Sequence, residues 1–251
     1  MTAVAISGAG GRMGRLAAAA VAAADDLELV ALFGPDAESV QGLEISNDRA
    51  ALSDAQVVVE FTNPDVVMEN LSAWRGMGMH AVVGTSGFDA ARLAQVEAEW
   101  GNGPPNCIIA PNFSIGAVLL MHFAEKAATH LPVAEIVELH HEDKPDAPSG
   151  TALATAQRMA AARQGRGTRF ESKELVPGAR GADVEGIPVH SIRLPGIIAS
   201  QEVVLGAEGE TLSMRHDTFD RESFMPGVLL AVREIADRPG VTFGLEPLLG
   251  I

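Results

Sequence analysis

The chain begins with a short apolar run that ends in glycine. Val4-Ala5-Ile6-Ser7 leads into Gly8-Ala9-Gly10-Gly11-Arg12-Met13-Gly14, and alanine-rich sequence follows. A strand that enters a glycine-rich turn and leaves it as a helix constrains the N-terminal part strongly, because it opens a parallel sheet with crossover helices. Glycines there permit positive φ and close backbone approach. The free amides and the dipole of the first helical turn attract a pyrophosphate. Glycine stands at 8, 11 and 14, with a further one at 10, which fits the dinucleotide pattern loosely. In isolation the string also reads as a plain tight turn; the strand, helix and next strand around it favour the dinucleotide. Arg12 is either a phosphate partner or a solvated cation.

The same rhythm continues to about residue 111. Strands are expected at Val4–Ser7, Leu27–Phe33, Val57–Phe61, His80–Val83 and Cys107–Ala110. Helices are expected at Arg15–Ala24, Asp65–Arg75 and Asp89–Trp100, the second opened by Asn63-Pro64 as a cap and first-turn proline. Beyond Pro111 the pattern becomes α+β with antiparallel strands. It predicts helices at Ile115–Thr129 and Thr151–Arg163, and strands at Glu135–His140, Pro188–Leu194, Ile197–Leu205 and Thr211–His216. Residues 164–186 lack periodicity and read as an exposed connection. Ser223–Arg238 returns to helix, and Val241–Leu249 reads as extended.

Charge and cysteine usage exclude several classes. With 33 acidic against 18 basic residues the formal net charge is −15, which opposes a nucleic-acid backbone. Screening over roughly 8 Å still lets local cations and aligned amides build an anion site inside a pocket. The single cysteine, Cys107, lies in an apolar run and reads as a small core residue in a reducing compartment. The N-terminus lacks a basic region, and no apolar run approaches the ~20 residues a bilayer crossing needs, so a soluble cytoplasmic protein without a membrane partner is expected.

Two further segments sit at C-terminal ends of strands, where open α/β sheets bind ligands. In Gly84-Thr85-Ser86 the hydroxyls and loop amides can meet a nicotinamide ribose or carboxamide, and in Ala110-Pro111-Asn112-Phe113 the phenyl ring can flank the nicotinamide. Ordinary loop chemistry is the alternative for each. The acid that would accept the ribose hydroxyl hydrogen bonds is missing: the second strand ends Ala31-Leu32-Phe33-Gly34-Pro35, with Asp36 the nearest carboxylate. No nearby Arg or Lys welcomes a 2′-phosphate either, so the choice between NADH and NADPH stays open.

His140-His141-Glu142-Asp143-Lys144-Pro145-Asp146-Ala147-Pro148-Ser149-Gly150-Thr151 is the densest polar stretch. His140 can donate or accept a proton near neutrality, Lys144 is a cation, and the prolines stiffen the loop. Ser149-Gly150-Thr151 starts a helix, so its amides and the Thr151 hydroxyl form a carboxylate site. The set suits reduction of a small anion: hydride reaches one carbon, an acid protonates its neighbour, and cations fix carboxylates. A metal site from His140, His141, Glu142 and Asp143 is disfavoured, because adjacent residues of an extended segment point to opposite sides. A solvated loop with a helix cap is the bland alternative.

The segment Glu138-Leu139-His140-His141 through Lys144, then Asp146 to Ala152, resembles the signature of the dihydrodipicolinate reductase family of bacterial diaminopimelate and lysine biosynthesis, with the actinobacterial members most alike. Glu60-Phe61-Thr62, Val83 to Phe88, Pro111 to Gly116 and Gly244 to Leu249 extend the resemblance over nearly the whole chain. It implies reduction of 4-hydroxy-tetrahydrodipicolinate, or of the dihydrodipicolinate formed by its dehydration, with NADH or NADPH. His140 would be the acid/base residue and Lys144 the proton donor. His141, Gly150 and Thr151 would bind the small dicarboxylate substrate. Gly8, Ala9, Gly10, Gly11, Arg12 and Met13, together with Gly84, Thr85, Ser86, Ala110, Pro111, Asn112 and Phe113, would contact the cofactor, and no metal is implied. The implied fold is a Rossmann-like domain, residues 1–111 and 222–251, plus an α+β substrate domain, residues 112–221, with a mixed or antiparallel sheet. Homotetramers assembled through the substrate-domain sheets and hinge closure between domains are also implied.

Competing readings keep the first domain and change the rest. One is a different nicotinamide reductase, for example of a semialdehyde, and another is a silent NAD(P)-binding sensor. Neither needs the His140 to Thr151 segment. A Tyr-Lys short-chain mechanism is excluded, since the chain has no tyrosine.

Overall fold

The computed structural model describes residues 1–36, 38–167, 170 and 173–251. It divides into two compact units, Met1–Ile115 with Phe224–Ile251, and Gly116–Ser223.

In the first unit, β1 (Thr2–Ser7), α1 (Arg12–Ala22) and β2 (Leu27–Phe33) are followed by β3 (Ser39–Val40), β4 (Leu43–Ser46) and β5 (Val57–Glu60). Then come α2 (Val67–Gly76), β6 (His80–Val83), α3 (Ala90–Trp100) and β7 (Cys107–Ile109). The sheet order is β13-β7-β6-β5-β1-β2-β4-β3, where β13 is Val241–Phe243. All of these neighbours run parallel except the β3–β4 pair. Strand order reverses around β1, so the crevice beyond its C-terminal end is the switch point of the sheet. Ala5, Val58, Ala81, Val83 and Ile109 pack against Leu71, Trp74, Val96 and Trp100 of α2 and α3. The alternate residues Val4, Ile6, Val57, Val59, Val82 and Ile108 are equally buried, as expected of a parallel sheet covered on both faces. Cys107 is buried among them, and burial pushes its thiol pKa up.

Several boundaries differ from the sequence expectation. Helix α1 starts at Arg12 rather than Arg15, because Gly11 takes the extended N-cap conformation. Helix α2 starts at Val67: the Asn63 side chain accepts from the Asp65 amide in a preceding turn instead of capping the helix. Strands β3 and β4 lie outside the expected elements, since two and four residues are too few to establish a repeating pattern. The tail is not extended throughout, since α7 (Glu246–Leu249), with Pro247 in its first turn, follows β13. The expected helix from Ser223 is a 3-10 turn, then α6 (Met225–Glu234), then another 3-10 turn.

The second unit contains α4 (Ile115–Ala128), which starts at the unit boundary, β8 (Val133–His140), α5 (Gly150–Ala162), β9 (Ala182–Val184), β10 (Ile187–Arg193), β11 (Ala199–Ala207) and β12 (Glu210–Thr218). Its sheet order is β12-β11-β8-β10-β9. The sheet is mixed: most neighbours are antiparallel, but β10 runs parallel to β8 because α5 and the chain after it form a crossover between them. Leu120, Ala124, Ala152, Ala156 and Met159 of α4 and α5 pack on Ile136, Val189, Val203 and Leu205. The expected 164–186 connection contains β9, and its residues 168, 169, 171 and 172 lie outside the described residues. Among the described residues no helix is long and apolar enough to cross a membrane.

Candidate active site

Strand β8 builds the polar site of the second unit. Its alternation puts Ala134, Ile136, Glu138 and His140 on one face. Ala134, Ile136 and Glu138 are buried and His140 partly so. Glu138 therefore carries a carboxylate in an otherwise apolar phase, fully buried, and such a group must be paired. Arg193 at the end of β10 meets it with both terminal nitrogens, Nη1 to Oε2 at 3.0 Å and Nη2 to Oε1 at 2.9 Å. The Ser149 amide donates to Oε1 at 3.3 Å, and His140 Nδ1 hydrogen-bonds Oε2.

Burial pushes the Glu138 carboxyl up, but hydrogen bonds from Arg193, Ser191 and His140 outweigh it and leave its pKa below the ordinary value of 4.5. For His140, burial pushes the ring pKa down, the Glu138 contact opposes this, and the nearby Lys144 and Arg193 charges help keep it below 6.5. The imidazole is accordingly neutral at neutral pH. With Nδ1–H directed at the carboxylate, Nε2 is left as the accepting nitrogen.

These shifts predict acid lability of the second unit. The Glu138 contribution to stability is complete above 4.5 and is lost as pH falls through its folded-state value; that of His140 is complete above 6.5 and starts to fade below it. His216, lowered by burial, adds to the upper step. Urea midpoints should therefore fall in two stages between pH 7.5 and 3.5, and His140→Gln should shrink the upper stage. A midpoint constant from pH 7 to pH 5 would contradict this.

The loop after β8 carries the other charges. Lys144 Nζ donates to Asp146 Oδ1 and Oδ2 at 2.7 and 2.9 Å, which holds the Asp146 carboxyl below its usual range. Arg193 Nη2 also donates to the Asp146 carbonyl at 2.6 Å, tying this loop to the Glu138 pair. Ser149 caps α5 by accepting from the Ala152 amide at 3.2 Å. The preceding amides, Gly150 and Thr151, have no acceptor within the helix and point out of its start. A Cβ on Gly150 would meet nothing within 4 Å, so the space above them is open. Thus His140, Lys144, Gly150 and Thr151 belong to one unit, with His141 partly exposed at the head of the loop. Sequence reasoning did not single out Glu138 and Arg193 as site residues. The signal for Glu138 is an acid in the apolar phase of β8, whereas Arg193 becomes legible only from the β8–β10 pairing that sets it beside His140. Among the described residues no group of three His, Cys, Asp or Glu side chains is placed to hold a metal.

The cofactor candidates lie in the first unit. Gly8 has φ +80°, and a Cβ there would stand 2.4 Å from the Phe61 carbonyl oxygen; one on Gly14 would stand 2.1 Å from that of Gly8. The turn is latched by the Gly8 and Ala9 amides, which donate to the Phe33 carbonyl at 2.9 and 3.1 Å. Gly11 provides no side-chain cap, so the Arg12 and Met13 amides at the start of α1 remain available to an anion. A glycine cradle with uncapped amides fits a dinucleotide pyrophosphate. Gly84 is required by packing, since its Cβ would fall 2.1 Å from Phe61 Cε1 and 2.8 Å from Phe113 Cε2. Phe113 is buried and set edge-on to Phe61, with ring centroids 5.8 Å apart. Thr85 is buried and donates to the Glu60 carbonyl, whereas Ser86 is exposed. Ala110 is buried and Pro111 exposed, and Asn112 accepts from the Ser114 amide at 2.8 Å.

Comparison with known proteins identifies the family. The family model for the dihydrodipicolinate reductase N-terminus matches residues 2–113, and that for the C-terminus matches residues 116–249. The 4-hydroxy-tetrahydrodipicolinate reductase of Cutibacterium acnes is 52% identical over 255 residues, covering 100% of both chains. That of Nocardia farcinica is 53% identical over 253 residues, covering 99% of this chain and 98% of the relative. The dipicolinate-bound dihydrodipicolinate reductase of Paenisporosarcina sp. TG-14 superposes with a TM-score of 0.87 at 37% identity, covering 98% of this chain and 99% of that one. The chain belongs to the dihydrodipicolinate reductase family of oxidoreductases, which use NADH or NADPH.

Proposed function

We propose that this chain reduces 4-hydroxy-tetrahydrodipicolinate, or the dihydrodipicolinate formed from it by loss of water, to tetrahydrodipicolinate in diaminopimelate and lysine biosynthesis. The observation that carries the reading is the second-unit site, where a neutral His140 held by a buried Glu138 ends the strand that leads into the Lys144 loop and an open helix start.

When bound, the nicotinamide supplies the hydride. Gly8 to Met13 hold the pyrophosphate, while the strand ends at Gly84–Ser86 and Ala110–Phe113 receive the nicotinamide half. In the other unit the Gly150 and Thr151 amides, the Thr151 hydroxyl and His141 bind the carboxylates of the substrate. Lys144 donates the proton to the carbon next to the one that accepts hydride. His140 Nε2 serves as the acid/base nitrogen, since Glu138 occupies Nδ1. Residues 1–111 with 222–251 act as the dinucleotide domain and 112–221 as the substrate domain. The protein works in the cytoplasm as a homotetramer. The sheet face away from α4 and α5 supports assembly: it carries a 620 Å³ cleft lined in part by Val133, Val137, Phe170 and Val204.

The test is a coupled assay in which a synthase supplies the unstable substrate and nicotinamide absorbance is followed with NADH and NADPH in parallel. Oxidation is expected. No oxidation of either nucleotide would defeat the assignment, and sedimentation of the same preparation reads its assembly.

A further inference from the structure

Strand β2 ends without an acid, and other residues border the glycine turn there. Strand β2 ends at Phe33, whose ring turns into the core: it packs edge-on against Trp74 at 5.5 Å, and the Arg49 guanidinium lies 5.8 Å from its centroid. The next residue, Gly34, has no side chain, and its amide donates to the Ser46 carbonyl at 3.0 Å. Neither residue offers a hydrogen-bond acceptor from its side chain where a ribose would lie. A 310 Å³ cleft opens at this point, lined by Gly34, Pro35 and Asp36 on one side and by Glu44, Ile45, Ser46 and Asn47 on the other. It adjoins the glycine turn. A Cβ on Gly10 would stand 3.7 Å from Asp36 Oδ2 and 3.8 Å from Ile45 Cδ1, so the Asp36 carboxylate reaches back over the turn from beyond the strand end.

The charges around this cleft decide which ribose it accepts. The residues lining it include the carboxylates Asp36 and Glu44 and no cation. Of the nearby arginines, Arg15 donates to the Gly10 carbonyl at 3.0 Å and is paired with Glu38. Arg49 is paired with Glu69 at 2.9 Å and donates to Asn70. Arg12 is exposed on the first turn of α1 and does not line the cleft. A ribose diol donates hydrogen bonds that a carboxylate accepts strongly, whereas a 2′-phosphate brings a charge of about −1.5 to −2 against carboxylates already there.

We propose that Asp36 accepts the adenosine ribose hydroxyls in place of the absent strand-end acid and makes this chain select NADH over NADPH. The inference rests on reading Gly8 to Met13 as the pyrophosphate cradle. Like-charge repulsion in such a cleft should give NADH a dissociation constant roughly 10- to 100-fold below that of NADPH.

The test is a fluorescence titration of the full chain with each nucleotide, without substrate. Asp36→Ser should weaken NADH about 10-fold and leave NADPH unchanged or tighter, so that the preference collapses. Asp36→Asn, which keeps the shape and removes the charge, should move the ratio the same way. Equal binding of both nucleotides by the unaltered chain, or a ratio unmoved in both variants, would overturn the inference. Gly10→Val separates this from the cradle reading, because a branched side chain there obstructs both nucleotides alike. If Gly10→Val leaves both affinities unchanged, the cradle is wrong and the inference falls with it. If it weakens both while the Asp36 variants leave the ratio alone, the inference about Asp36 fails by itself.

Discussion

Lys144→Ala should lower kcat by about two to four orders of magnitude, the range a positioned proton donor supplies, with the NADH dissociation constant unchanged within about twofold. The expectation follows from where Lys144 sits. It lies in the second unit, on the loop between β8 and α5, whereas the glycine turn belongs to the first unit. Its structural partner is the half-exposed Asp146, so little folding stability depends on it. Lys144→Arg separates the two ways a cation can act: arginine keeps the charge but does not release a proton near neutrality, so it should restore carboxylate affinity and not turnover. Full turnover in Lys144→Arg would reduce the residue to an electrostatic role. His140→Ala should show a similar fall in kcat, and loss of NADH binding in either alanine variant would sink the assignment of roles.

Glu138→Ala is expected to destabilise the second unit by about 3 to 5 kcal/mol, because it leaves a partly buried guanidinium without its counter-charge. Arg193 would keep its hydrogen bonds to the Ile192 and Asp146 carbonyls and lose both to the carboxylate. Its Nε is already buried without a partner among the described residues, so nothing nearby compensates. The Ser149 amide and His140 Nδ1 lose their acceptor as well. Urea unfolding followed on the second unit reads the effect. Glu138→Leu combined with Arg193→Met distinguishes stability from positioning. Replacing both charges by apolar side chains of similar size should recover most of the stability, while turnover stays low because the His140 ring is no longer fixed. Recovery of both stability and turnover would show that the pair serves folding alone.

Much of this molecule can be read from its residues in order. The glycine turn, the strand ends at Gly84 and Ala110, and the loop from His140 to Thr151 are local patterns. Each is contiguous, and each owes its chemistry to backbone conformation and residue type within a few positions. The main strands and helices of both units follow from periods of 2 and 3.6 in the same way. Elements of only one or two periods, such as β3, β4 and α7, leave too few positions to show such a trace.

The pairing of distant segments lies beyond that reach. That β10 runs parallel to β8 depends on how α5 crosses the sheet, and this register alone brings Arg193 to Glu138, 55 residues away. Burial of the His140 ring itself, opposed by Glu138 and aided by the Lys144 and Arg193 charges, then sets its charge state, which no composition or motif conveys, because a pKa depends on solvent exclusion and on neighbours brought together only by folding. Likewise the end of β2 shows an acid missing in sequence, but only the folded turn puts Asp36 beside Gly10. Local conformation made the glycine turn and the reactive loop recognisable from sequence alone. Long-range packing, which joins segments the chain keeps apart, decided which side chains support them.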